Sequence, residues 1–166
     1  MILRIFGIIQ CNSMATPMEA NLNKLRDSAI SSDLVDPTMY CELIGSFLYL
    51  VNKRSNICYV LNTLGQHMVE PRQAHWRSTK HVLRYLHGII GYGLRYTSDD
   101  GVKLVGSKHS YWDGSAIDKK ITSGCCFSLG LAMVSWFSKK QTSVALSTIE
   151  VEYIIANATS KEAVWL

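Results

Sequence analysis

The sequence predicts an α+β protein, with a helical N-terminal part followed by a smaller α/β part of three antiparallel strands and one helix. Apolar residues between positions 36 and 87 recur at the spacing of amphipathic helices. From position 103 the apolar runs become short and extended, and a glycine-containing turn separates two of them. We therefore expect three regions, residues 1–35, 36–93 and 94–166, of which the first is an N-terminal segment with a linker.

The composition favours a folded chain without a disulfide framework. The 166 residues are 48% hydrophobic and 18% charged, which is typical of one globular domain or two small ones. The five cysteines are an odd number without a Cys-x-x-Cys pair, so neither disulfides nor a zinc site is expected. The five histidines are dispersed and do not suggest a metal site either. A net charge of +4 is compatible with a polyanionic partner but does not require one.

The apolar run at the N-terminus is too short for a secretory signal. Its uninterrupted apolar run, Ile5–Ile9, falls below the roughly 7–15 residues of a signal-peptide core, and Arg4 precedes it. No stretch approaches the ~20 apolar residues that a membrane span requires. An intracellular location is therefore favoured over secretion, no membrane contact is expected, and the compartment is otherwise not assigned.

Two helices are expected before residue 70. Asp36 followed by Pro37 is a helix-start signal, because aspartate can accept from the free amides of a first turn and proline needs no hydrogen bond there. A second helix is predicted over residues 55–68. The expected inward-facing residues of the two helices are Ile44, Phe47, Leu48, Val51, Ile57, Val60, Leu61, Leu64 and Met68.

A third helix, predicted over residues 72–87, has two distinct faces. One face is apolar and consists of Trp76, Thr79, Val82, Leu83 and Leu86. The opposite side, which we call the basic face, consists of Arg77, Lys80, His81, Arg84 and His87. It is interpreted either as the solvated side of a core-packed helix or as a nucleic-acid contact made by Arg77, Lys80 and Arg84.

The region after residue 93 predicts three strands and a helix. The strands are expected over residues 103–112, 123–129 and 132–138, with Gly130 in the turn of the hairpin. The helix is expected over residues 147–166, because Ser147 and Glu150 have the spacing of a capping box. Its predicted apolar stripe is Val151, Ile154, Ile155, Ala158 and Trp165, and Glu152 lies outside that stripe.

Several short motifs follow one another in a fixed order along the chain. Near the N-terminus they are Cys11-Asn12, Thr16-Pro17-Met18 and Asn21–Leu25. In the last third they are Leu104-Val105-Gly106, Trp112-Asp113-Gly114, Lys119–Gly124, Ser135–Gln141 and Ala145–Tyr153. In this order the motifs resemble the polyprotein of copia-type long-terminal-repeat retrotransposons, from the end of the reverse transcriptase into the ribonuclease H domain.

The resemblance implies an arrangement and a set of site residues. Residues 1–35 would follow the polymerase palm, residues 36–93 would be thumb- or connection-like, and residues 94–166 would form a truncated ribonuclease H-like half-domain. Active members cut the RNA strand of an RNA–DNA hybrid with magnesium ions held by carboxylates. Their first Asp falls on His109, a neighbouring Asp falls on Tyr111, and their Glu falls on Glu152.

The same resemblance predicts a chain without catalysis. Imidazole offers nitrogen and not the hard oxygen that magnesium prefers, so His109 is not expected to replace an Asp. The remaining nuclease carboxylates would lie beyond Leu166 and the polymerase Asp pair upstream of Met1, which leaves Glu152 as a catalytic remnant. We therefore expect no enzyme activity, no metal site and no cofactor, although the active family uses magnesium.

Three functions stay open. The first is a catalytically inactive fragment of a copia-type polyprotein. The second is a secreted RxLR-type effector-like protein that shares this region, although no Arg-x-Leu-Arg occurs in the sequence. The third is a co-opted module that binds RNA or DNA weakly and non-specifically through Arg77, Lys80 and Arg84, with Tyr111 and Trp112 as aromatic partners. Self-association is also expected, through an open edge of the first strand.

Overall fold

The computed structural model describes residues 11–19, 32–96, 103–111, 120–141, 144 and 147–166. The chain divides into two compact units, Met1–Tyr92 and Gly93–Leu166. Helices α1 (Pro37–Val51), α2 (Cys58–Gly65) and α3 (Gln73–Gly88) lie in the first unit. Strands β1 (Leu104–Tyr111), β2 (Thr122–Leu129) and β3 (Ala132–Lys140) and helix α4 (Thr148–Trp165) lie in the second. The described residues therefore form an α+β protein, as predicted.

Helix α1 begins where the sequence predicts. The Asp36 side chain accepts a hydrogen bond from the Thr38 amide at 2.9 Å, and Pro37 occupies the first turn. Its buried residues are Tyr40, Leu43, Ile44 and Phe47. The prediction of Leu48 as an inward residue is wrong, since this side chain is 52% exposed. The buried face also includes Tyr40, whose hydroxyl donates to the Leu64 carbonyl at 2.8 Å.

The second predicted helix is divided. A 3-10 turn, Ser55–Ile57, precedes the shorter α2. The helix ends early because the Gln66 and His67 amides donate to carbonyls three residues back, Thr63 and Leu64, which tightens the last turn. The predicted inward residues are nevertheless correct: Ile57, Val60, Leu61 and Leu64 are buried, and Met68 packs against the same cluster.

Helix α3 completes the core of the first unit. Thr79, Val82, Leu83 and Leu86 are buried, and Trp76 packs against the cluster while half-buried, so the predicted apolar face is confirmed. The Thr79 hydroxyl donates to the His75 carbonyl at 2.7 Å, which satisfies a polar group inside the core. The opposite side of the helix carries the basic face.

The second unit is a three-stranded antiparallel sheet in the order β1, β2, β3. Gly130 has a φ of 62° in the turn between β2 and β3, which is the left-handed conformation that favours glycine. Gly106 of β1 is opposite Phe127 of β2, and a Cβ at position 106 would lie 2.7 Å from the Phe127 ring. A side chain at that position would therefore displace a buried aromatic ring.

Helix α4 has its buried apolar residues in its first half. Val151 and Ile155 form a buried cluster with Ile121, and Ile154 packs against it. The prediction that Trp165 belongs to the apolar stripe is wrong, because its side chain is 81% exposed. This cluster involves the first half of α4, and farther along the helix the Glu162 carboxylate accepts a hydrogen bond from the Ser135 hydroxyl of β3 at 2.7 Å.

Candidate functional site

The start of α4 holds the acidic residue that the sequence singles out. The Ser147 hydroxyl accepts a hydrogen bond from the Glu150 amide at 3.1 Å, which confirms Ser147 as the capping residue. One turn later, Glu152 extends from the exposed side of the helix toward β1. There its Oε2 accepts from the ammonium nitrogen of Lys108 at 2.7 Å. The carboxylate is thus held by a cation of the same chain.

His109 is the residue next to Lys108 in β1. It pairs with Gly124 of β2 in the backbone register, and Tyr111 pairs with Thr122. Trp112 and the nearby Asp113 and Asp118 lie outside the described residues. Among the residues that are described, no group of three or more histidine, cysteine, aspartate or glutamate side chains is arranged to hold a metal ion.

The basic face of α3 is divided between exposed and engaged residues. Arg77 and Lys80 are exposed. The Lys80 ammonium lies 5.3 Å from the centroid of the Trp76 ring, within the range of a cation–π contact. Arg77 and Lys80 thus form an exposed cationic surface beside the half-buried Trp76 ring.

Arg84, the third predicted nucleic-acid residue, is bound by residues 11–19, which we call the strap. The Arg84 Nε donates to the Asn12 carbonyl at 2.9 Å. The Nε2 of His81, on the same face, lies 2.9 Å from the Thr16 carbonyl. The Met14 amide donates back to the Arg84 carbonyl at 3.4 Å. The strap therefore follows one part of the basic face through main-chain atoms.

Two further contacts fix the strap. Met14 and Met18 pack against the core cluster of the first unit. A Cβ at Gly88 would lie 2.9 Å from the Cβ of Ser13, so only glycine allows this close approach. The strap could not be predicted from the sequence, because its contacts join residues that are far apart in the chain and most of them involve the main chain.

A pair of stacked histidines was also missed. The rings of His67 and His75 have centroids 3.9 Å apart and an interplanar angle of 16°. The His75 Nδ1 accepts from the Arg72 amide at 3.1 Å. Burial, together with the nearby His67 and Arg72, lowers the pKa of His75 from 6.5 to about 4. The imidazole is therefore neutral near pH 7 and acts as an acceptor at the start of α3.

The Ser135–Gln141 motif contributes to the sheet of the second unit. The Gln141 amide donates to the Ile121 carbonyl at 2.8 Å, and its side-chain Nε2 donates to the Ser123 hydroxyl at 2.7 Å. A pocket of about 200 Å³ lies beside this pair, lined also by Phe137, Lys139, Lys140 and Ile154. Gln141 is thus a structural link between the two strand ends.

No helix in the described ranges is both long enough and apolar enough to cross a membrane.

Comparison with known proteins identifies relatives over most of the chain. It is 40% identical over 128 residues to "Secreted RxLR effector protein 161" of Plasmopara viticola, covering 76% of the chain and 90% of that protein. It is 32% identical over 164 residues to an uncharacterized mitochondrial protein of Arabidopsis thaliana, covering 99% of the chain and 67% of that protein.

A third relative is a polyprotein. The chain is 34% identical over 160 residues to the retrovirus-related Pol polyprotein from transposon RE2 of Arabidopsis thaliana. This match covers 96% of the chain but 11% of the polyprotein, so the chain spans about a tenth of that relative. No protein-family model matches the chain. No solved structure matches it significantly. On these similarities, the chain belongs to the family of copia-type retrotransposon Pol polyproteins.

Proposed function

We propose that the chain is a catalytically inactive region of a copia-type polyprotein, covering the end of the reverse transcriptase and the first half of a ribonuclease H-like domain. The order of three antiparallel strands followed by a helix supports the ribonuclease H-like assignment of residues 94–166. The assignments of residues 1–35 as a post-palm segment and 36–93 as thumb- or connection-like are part of the same proposal.

The ion pair between Lys108 and Glu152 carries the proposal of inactivity. A nuclease with two divalent ions needs several carboxylate oxygens that converge on the scissile phosphate. Here the carboxylate at the family's Glu position faces an ammonium group at 2.7 Å, and the position of the first Asp holds His109. A magnesium ion at Glu152 would have to displace that ammonium, which breaks the ion pair, or bind beside it, which like-charge repulsion opposes.

Magnesium binding tests this step directly. Calorimetric titration of the intact chain with magnesium should give no saturable heat in the wild type. The variant Lys108→Ser with His109→Asp removes the cation and adds an oxygen ligand, so it should bind magnesium more tightly than the wild type. Magnesium binding by the wild type that Glu152→Gln abolishes would contradict the proposal.

We further propose weak, non-specific nucleic-acid binding by the basic face. Arg77 and Lys80 are exposed on one side of α3, which supports contact with phosphates. Each phosphate neutralised contributes a slope of about 0.7 on single strands, or about 0.9 on duplex DNA, in log affinity against log salt. The few cations available should therefore give binding that is measurable at low salt only. Arg77→Glu with Lys80→Glu should abolish it, whereas Lys53→Glu, an exposed lysine outside this face, should not.

An effector role is the second candidate. The observation that favours it is the 40% identity to a protein named as a secreted RxLR effector, over 90% of that protein. A tagged chain expressed in a secretion-competent host tests it. Recovery of the tag outside the cells would support the effector role, and retention of all of the tag inside would argue against it.

A further inference from the structure

We propose that the strap, residues 11–19, competes with nucleic acid for the Arg84 end of the basic face, so that full use of this face requires release of the strap. This inference rests on the nucleic-acid binding proposed above and adds a regulatory element to it. Arg77 and Lys80 remain exposed with the strap in place, whereas Arg84 and His81 contact it.

The polar contacts of the strap use the groups that would bind phosphate. The Nε of Arg84 donates to the Asn12 carbonyl, and the Nε2 of His81 lies 2.9 Å from the Thr16 carbonyl. A carbonyl oxygen and a phosphate oxygen are both acceptors for such donors, and a phosphate attracts a guanidinium more strongly because it carries a full charge. Strap and phosphate therefore compete for the same side chains.

A small set of contacts holds the strap on the first unit. Its anchors are two methionines packed against the core cluster, the hydrogen bond from the Met14 amide to the Arg84 carbonyl, and the close contact of Ser13 with Gly88. No residue of the strap is itself among the fully buried members of that cluster. Its release would therefore leave the described core of α1, α2 and α3 in place.

A substitution at Gly88 can displace the strap without changing any residue of the basic face. The substitution Gly88→Ala places a Cβ 2.9 Å from the Ser13 Cβ, so the strap must move. Gly65→Ala is the matched control, because Gly65 also ends a helix but a Cβ there meets nothing within 4 Å. Hydrogen exchange at the Met14 amide reports whether the strap is docked. Fluorescence anisotropy with a labelled single-stranded RNA at low salt reports binding.

A disulfide offers the opposite manipulation. In a Cys11→Ser background, Ser13→Cys combined with Gly88→Cys brings two Cβ atoms within reach of the ~3.5–4.5 Å separation of a disulfide after a small adjustment. The oxidised protein holds the strap against α3. Reduction leaves two side chains that collide and push the strap away. The same protein can thus be measured with the strap locked and released.

The proposal predicts opposite changes in these variants. Gly88→Ala should speed exchange at the Met14 amide, raise RNA affinity about threefold to tenfold, and steepen the salt dependence by about 0.7 for one added phosphate contact. Gly65→Ala should change none of these. The oxidised cysteine pair should bind RNA more weakly than its reduced form.

Two outcomes would overturn the proposal, and they differ in what they imply. If release of the strap leaves RNA affinity and salt dependence unchanged while the wild type binds, competition is excluded but the nucleic-acid function survives. If no form binds RNA at low salt although the Met14 amide responds, the proposed nucleic-acid function itself fails. If Gly88→Ala does not release the strap, equal affinities of the oxidised and reduced cysteine pair refute competition.

Discussion

The ammonium of Lys108 in β1 lies 2.7 Å from the Glu152 carboxylate in α4. This contact joins the first strand of the sheet to the second turn of the helix. It also places a positive charge beside the carboxylate that the proposed function treats as the remnant of a metal site. Both residues are exposed at this pair, so we expect it to contribute little to stability. Under the proposed function, its main effect would be to disfavour magnesium binding at Glu152.

A substitution in β1 tests the packing of the sheet. Gly106→Ala would bring a Cβ to 2.7 Å from the ring of buried Phe127. The ring or the strand must shift, which should cost about 1–3 kcal/mol of the free energy of unfolding. Urea denaturation of the intact chain measures it. Gly45→Ala is the control, since a Cβ there meets nothing within 4 Å and alanine favours a helix. Equal stability of Gly106→Ala and the wild type would contradict this packing.

A second prediction concerns the cap of α1. Asp36→Ala removes the acceptor of the Thr38 amide and should cost about 1 kcal/mol of stability, whereas Asp36→Ser should keep most of it. Thermal unfolding compares the two variants. If both lose the same amount, the side-chain hydrogen bond has no role in the stability of the helix.

The stability of the first unit should depend on pH through His75. Its pKa is about 4 in the folded protein and near 6.5 when unfolded, so the unfolded chain binds more protons between these values. This contribution to stability is therefore complete above about pH 6.5 and is lost as pH falls toward 4, by up to about 3 kcal/mol. Denaturation between pH 4 and 7 measures the slope. His75→Gln should flatten it, and an unchanged slope in that variant would refute the assignment.

Self-association should proceed through β1. In the described part of the sheet, β1 has a partner strand on one side only, and its residues Leu104 and Val105 are 36% and 49% exposed. Such edges pair with other chains, and a lysine on the edge opposes this. Val105→Lys should shift the protein toward monomer in sedimentation at high concentration. A wild type that stays monomeric at the highest concentration reached would count against this expectation.

The sequence predicted local features well and long-range ones poorly. The cap at Asp36, the cap at Ser147 and the turn at Gly130 depend on residues within a few positions of each other, and all three are confirmed. Trp165 fits the helical period of the apolar stripe, but its side chain is exposed. Periodicity alone does not show how far along a helix the packed surface extends.

The candidate site could not be predicted from short motifs, because its contacts join residues that are far apart in the sequence. Lys108 and Glu152 are 44 residues apart in sequence, and Arg84 and Asn12 are 72 apart. The basic face of α3 could be predicted from spacing, but its partial occupation by the strap could not, since the strap is recognised through main-chain carbonyls that any sequence presents. His67 and His75 likewise come together through the turn between α2 and α3.

Cleavage of an RNA–DNA hybrid tests the central claim most directly. The intact chain and Glu152→Gln should be incubated in parallel with a labelled hybrid and magnesium, at protein in excess over substrate. We predict that both leave the RNA strand intact to the same extent as buffer alone. Magnesium-dependent cleavage by the wild type that Glu152→Gln removes would contradict the account, because Glu152 would then serve a working metal site despite Lys108 and His109.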